Sequence, residues 1–124
     1  MEVEAMKTVV SGFYKKNIEH KKIFMQEEHE KVLQFLYDKA CDQKAVEGFE
    51  LRENLIPVIP YSHLMEEFSD VDKYVLDVCL SDLRYFGFAD RTMTKGRVEY
   101  TITKLGLKYM EYEQIEAINR NTGE

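Results

Sequence analysis

Residues 69–106 read Ser69-Asp70-Val71-Asp72-Lys73-Tyr74-Val75-Leu76-Asp77-Val78-Cys79-Leu80-Ser81-Asp82-Leu83-Arg84-Tyr85-Phe86-Gly87-Phe88-Ala89-Asp90-Arg91-Thr92-Met93-Thr94-Lys95-Gly96-Arg97-Val98-Glu99-Tyr100-Thr101-Ile102-Thr103-Lys104-Leu105-Gly106, and the periodicity changes twice along them. Leu76, Leu80 and Leu83 recur at i, i+4, i+7, Cys79 and Phe86 fall near the same side, and Val71, Val75 and Val78 widen it. That spacing predicts an amphipathic helix. Its valines are poor helix formers, so burial has to supply its stability. Ser69 or Asp70 is the expected N-cap, and Gly87 is placed to stop the helix in a left-handed conformation. Beyond it, Val98, Tyr100 and Ile102 alternate with Arg97, Glu99, Thr101 and Thr103, the pattern of a strand with one apolar face. Thr94-Lys95-Gly96 is the expected turn before that strand, with Gly96 supplying positive φ. Thr103 can cap a last helix that begins near Lys104. Gly106, in its first turn, leaves room for that helix to lie close to the sheet.

This order of helix, glycine, strand, turn, strand, helix resembles the second half of a winged-helix domain. The likeness is carried by Leu83 to Phe88, a Leu-x-x-x-Gly-hydrophobic ending, and by Tyr100-Thr101-Ile102-Thr103-Lys104-Leu105-Gly106, which leads into the last helix. It covers roughly a third of the chain closely and up to three quarters with the upstream helices. The fold class it implies is mainly α with a small β-hairpin: a winged helix-turn-helix with an N-terminal arm and a C-terminal helix.

The 124 residues suffice for one ordinary domain. We expect an arm over 1–24, a domain over 25–118 and a loose tail over 119–124. Cys41 and Cys79 match no metal or redox spacing and read as two small buried hydrophobes in a reduced, cytoplasmic chain. No apolar run approaches membrane-spanning length, so no membrane association is expected. His20, His29 and His63 belong to no metal motif, and no phosphate loop or nucleophile motif is present. No enzyme activity, cofactor or metal is expected.

Upstream, Thr8 to Tyr14 fits a short helix. Lys15 to Lys22 is basic around a single Ile18, and is either a docking arm or a solvated linker. Val32, Leu33, Leu36, Tyr37 and Ala40 stripe a helix over Gln26–Asp42, the first of a trihelical core. Residues 42–60 are an insertion or an extra helix, with a helical turn around Ala45, Val46 and Phe49 and a short edge strand over Leu55–Ile59, limited by Pro57. Pro60–Phe68 is the second helix, and Phe68-Ser69-Asp70 the turn into the third. The last helix, Lys104 to about Ile118, carries an apolar face of Leu105, Tyr109, Tyr112 and Ile115 wide enough to serve as a homodimer interface.

In DNA-binding relatives of this fold the third helix enters the major groove. The resemblance therefore implies double-stranded DNA as partner and transcription regulation as function. The candidate contacts are Arg91, Lys95 and Arg97 on the wing, Ser62, His63, Lys73 and Arg84 on the second and third helices, and Lys15, Lys16, Lys21 and Lys22 on the arm. Against this, the chain carries a net charge of −6, and Asp70, Asp72, Asp77 and Asp82 all fall on the expected outer side of the third helix. Carboxylates there repel phosphate. The alternative is a protein–protein interaction module whose acidic third helix binds another protein.

Overall fold

The structure is a computed structural model, and it describes residues 12–43, 46–47, 50–51 and 57–122. Its elements are α1 (Gly12–Lys22), α2 (Glu27–Asp42), β1 (Val46–Glu47), β2 (Glu50–Leu51), β3 (Ile59–Pro60), α3 (Tyr61–Glu67), α4 (Lys73–Phe86), β4 (Ala89–Thr94), β5 (Arg97–Ile102) and α5 (Lys104–Thr122). Among the described residues the chain is mainly helical, with five helices and a small antiparallel sheet in the order β3-β5-β4. Central β5 pairs Tyr100 with Ile59 on one side and with Arg91 on the other.

The leucines of α4 do what their spacing predicts. Leu76, Cys79, Leu80 and Leu83 are buried against Val32, Leu33, Leu36 and Ala40 of α2 and Leu64 of α3, in one cluster. The valines do not widen that face: Val75 and Val78 are exposed, and Val71 lies in the turn before the helix. The N-cap is Asp72 rather than Ser69 or Asp70. Its carboxylate accepts from the Tyr74 amide at 2.8 Å, and the three residues before it complete the turn from α3. Cys79 is buried, and burial, with Glu28 and Asp82 nearby, pushes its thiol up to about 11. Cys41 is exposed, contrary to its expected burial.

Four chain segments meet at the foot of the hairpin. Gly87 ends α4 at φ 84°, and the Phe88 amide donates to the Leu83 carbonyl at 2.9 Å. The Phe88 carbonyl accepts from the Thr103 amide at 3.1 Å. The Thr103 hydroxyl donates to the Gly87 carbonyl at 2.5 Å and accepts from the Gly106 amide at 3.0 Å, capping α5 as its position predicts. A Cβ on Gly106 would stand 2.2 Å from the Phe88 carbonyl oxygen and 2.8 Å from Ile102 Cγ1, so only glycine fits. At the other end of the hairpin, Thr94 pairs with Arg97 and leaves Lys95-Gly96 as a two-residue turn. Both turn residues have positive φ, 53° and 77°, the pattern of a type I′ turn.

The N- and C-terminal parts depart most from expectation. Residues 8–11 of the expected first helix lie outside the described residues, but Lys15 to Lys22 is helical and docks as α1 through buried Ile18. The helix α1 lies on α5, which also packs against α2. The expected dimer face is thereby used within the chain: Tyr109, Tyr112 and Ile115 are buried and Leu105 is half-buried. Leu107 and Met110 are buried too, so the wide apolar arc of α5 reflects neighbours on several sides of the helix. Helix α5 also runs to Thr122, through most of the expected tail. Val46 and Glu47 pair with Leu51 and Glu50 as a short hairpin where a helical turn was expected, in keeping with the β-branched Val46. Of the expected strand Leu55–Ile59, Ile59 is paired, with Pro60 beside it, and residues 55–56 lie outside the described residues.

Replacing Gly106 by Ala should lower the free energy of unfolding by about 3 kcal/mol, because backbone stands where the methyl must go. Chemical denaturation checks this; a loss below about 1 kcal/mol would mean the junction yields easily.

Candidate nucleic-acid interface

On α4, the side opposite the leucines is a crest of Tyr74, Val78, Ser81 and Tyr85, spaced i, i+4, i+7, i+11. Tyr74 is 75% exposed, Tyr85 88% and Val78 39%. Lys73, Asp77 and Arg84 follow the flank nearest β4 and β5, whereas Val75, Asp82 and Phe86 follow the flank nearest α1 and α2.

The β4–β5 side forms an open groove of about 290 Å³ lined by Tyr61, Lys73, Asp77, Arg91, Val98 and Tyr100. Three elements build it. Tyr61 stands at the start of α3, Lys73 and Asp77 occupy the first two turns of α4, and Arg91 lies opposite Tyr100 on the sheet face turned toward the helices. The Tyr61 hydroxyl donates to Asp77 Oδ1. Burial, then the Asp77 hydrogen bond and charge, push the Tyr61 phenol up to about 12. Burial also raises the Tyr100 phenol, against the charges of Arg91 and Arg84, so both guanidinium groups act on one ring. Lys73 and Arg91 thus share the groove with the Asp77 carboxylate, and Arg84 lies farther along the same flank of α4, on a chain whose overall charge is −6.

The carboxylates that counted against DNA are largely engaged within the chain. Asp72 caps its own helix, Asp77 accepts from Tyr61, and Asp82 Oδ2 lies 2.9 Å from Nε2 of His29. His29 Nδ1 accepts from the Gln26 amide at 3.0 Å, so the ring hydrogen belongs on Nε2, donating to Asp82. Asp70 precedes the helix altogether.

The remaining candidates separate. Lys95 is at the hairpin tip, exposed. Arg97 is on the opposite sheet face from Arg91 and pairs with buried Glu99 at 3.5 Å. Ser62 is exposed beside Tyr61, but His63 lines a different cavity, with Phe35 and Lys39 of α2. Lys16 is exposed, and the side chain of Lys15 lies outside the described residues. The other arm lysines are committed within the chain. Lys21 Nζ donates to the Phe86 carbonyl at 2.5 Å, where a cation favours the C-terminal end of α4. Lys22 pairs with Glu113 beside the rings of Tyr109 and Tyr112. Sequence reasoning missed the uncharged crest, although Tyr74, Val78 and Tyr85 fall at helical spacing opposite Leu76, Leu80 and Leu83. It also missed Tyr61 as the partner of Asp77, a contact between elements that no local pattern encodes.

Among the described residues no helix is long and apolar enough to cross a membrane, and no group of three His, Cys, Asp or Glu is placed to hold a metal.

The raised Tyr61 phenol sets a pH dependence. A phenol whose pKa rises on folding contributes stability that is complete below its unfolded value near 10 and is lost as pH climbs through about 12. The stability difference between the native chain and Tyr61→Phe should hold constant up to about pH 9 and shift against the native chain above about pH 10. Urea denaturation across that range checks it; a difference independent of pH would show that Tyr61 ionises alike in both states.

A scan against models of known protein families, a search of curated proteins and a search of solved structures each return no match for this chain.

Proposed function

We propose that the chain is a winged-helix DNA-binding protein acting as a transcriptional regulator. On this reading α2, α3 and α4 are the trihelical core, β4–β5 is the wing, and α4 lies along the major groove. The observation that carries it is the meeting of Lys73 and Arg91 in one groove, with Arg84 farther along the same flank of α4, while Asp72, Asp77 and Asp82 of the same helix region are held in bonds within the chain. The hairpin tip supports it. Lysine at positive φ costs about 1 kcal/mol, where Asn-Gly is the preferred pair. A strained cation at an exposed tip fits a contact with phosphate.

Four phosphate contacts, from Lys73, Arg84, Arg91 and Lys95, give a slope of log affinity against log salt of about −3.6. Fluorescence anisotropy with a random-sequence duplex should yield that slope, with Arg91→Ala making it shallower by about 0.9. Lys31→Ala, at an exposed position of α2, should leave it unchanged. Lys95→Asn should weaken binding yet raise stability by about 0.5–1 kcal/mol. An unchanged slope in Arg91→Ala would remove the groove from the interface.

The second reading, a protein–protein interaction module, is favoured by the apolar crest, since Tyr74 and Tyr85 are largely exposed. A folded chain that binds no duplex at about 50 mM salt would select it.

A further inference from the structure

We propose, resting on the DNA-binding reading above, that the crest of α4 reads the 5-methyl groups of thymine in the major groove, so that the preferred ligand is duplex DNA carrying thymines under Tyr74 and Val78. The crest and its flank have different chemistries. The cations Lys73 and Arg84 stand on the hairpin side with Arg91, where a phosphate backbone would neutralise them. The crest itself is Tyr74, Val78, Ser81 and Tyr85. Direct readout of guanine uses Arg or Lys against O6 and N7, and readout of adenine uses Asn or Gln against N6 and N7. None of those side chains occupies the crest.

What the crest offers is two phenol rings, a hydroxyl and the two methyls of Val78. Among base edges in the major groove, only thymine presents an apolar group. An isopropyl group or ring face meeting that methyl removes apolar surface of both partners from water. Opposite a cytosine amino group or a guanine carbonyl, the Val78 isopropyl group or a ring face would strip hydration from a polar edge and return no hydrogen bond. From Tyr74 to Tyr85 the crest runs about 16 Å, the rise of about five base pairs, so a short run of A·T pairs suffices. The charge pattern selects this occupant over an apolar protein surface. Lys73, Arg84 and Arg91 flank the crest on its hairpin side, which suits a polyanion whose backbone follows that edge of the helix.

The test is a double cycle. One arm replaces thymine by deoxyuridine at five central base pairs, which removes the methyl and keeps every hydrogen bond. The other arm is Val78→Ala. Val78 is 39% exposed and lies outside the buried cluster, so V78A keeps the fold, and circular dichroism confirms it. The native chain should bind the thymine duplex about fifteenfold tighter than the deoxyuridine duplex, two methyl contacts at about fourfold each. V78A should lose affinity for the thymine duplex and keep at most about a third of that discrimination. The cycle cancels changes in duplex shape, which act alike on both proteins.

Salt-dependent binding that is equal for thymine and deoxyuridine duplexes would overturn this inference and leave the DNA-binding reading standing. Full discrimination retained by V78A would overturn the assignment to the crest. Failure of the folded chain to bind either duplex at about 50 mM salt would overturn the DNA-binding reading and the inference with it.

Discussion

The Phe88 carbonyl is the point on which the rest of this structure depends. It accepts the Thr103 amide on one side and has Gly106 pressed against it on the other. Within a few residues of it lie the end of α4, the start of β4, the end of β5 and the start of α5. A buried carbonyl without a partner costs about 1–3 kcal/mol, so this contact has few alternatives. The Thr103 hydroxyl doubles the tie by donating to Gly87 while capping α5. Any side chain at position 106 would separate α5 from the hairpin and open the join.

That join sets what α4 can present. With its C-terminal end held to the foot of β4–β5, α4 turns Lys73 and Asp77 into the same hollow as Arg91, and Arg84 follows farther along that flank. The other end of the hollow is set by β3, which pairs Ile59 with Tyr100 and so carries Tyr61 to Asp77. The helix α1 acts from the opposite side. Ile18 fills the core, Lys21 binds the Phe86 carbonyl at the end of α4, and Lys22 binds Glu113 of α5, so the basic segment is a docked arm and not a solvated linker. An acidic chain can in this way keep one local basic surface: its cations gather on one flank while its nearby carboxylates are bound within the chain.

What could be read from residues alone follows from how local the determinants are. The 3.6-residue spacing of Leu76, Leu80 and Leu83, the stop at Gly87 and the cap at Thr103 are each written within a few residues, and each holds in the structure; the strand read from the alternation over Val98 to Ile102 also forms, although Glu99 of its polar face is buried. The mainly helical fold with its hairpin was legible for that reason. The burial of Tyr109, Tyr112 and Ile115 was not, because an apolar face looks the same whether a second copy or the chain's own α1 covers it. Nor were the partners of Asp77 and Asp82, which lie 16 and 53 residues away in sequence. Lys73, Arg84 and Arg91 were legible as cations, but the meeting of Lys73 with Arg91 depends on how the hairpin folds back toward α4. The intrachain partners of Lys21 and Lys22 were illegible for the same reason, since Phe86 and Glu113 are 65 and 91 residues distant.

The most direct measurement is a two-dimensional amide NMR titration of the labelled chain with a short duplex. If α4 and the hairpin form the DNA face, amide shifts should move at Lys73, Tyr74, Val78, Arg84, Arg91 and Lys95, with Lys21, Lys22 and the α1–α5 contact unaffected. Shifts confined to α1, or a spectrum unchanged at saturating duplex and low salt, would contradict that assignment and leave the groove without a nucleic-acid role.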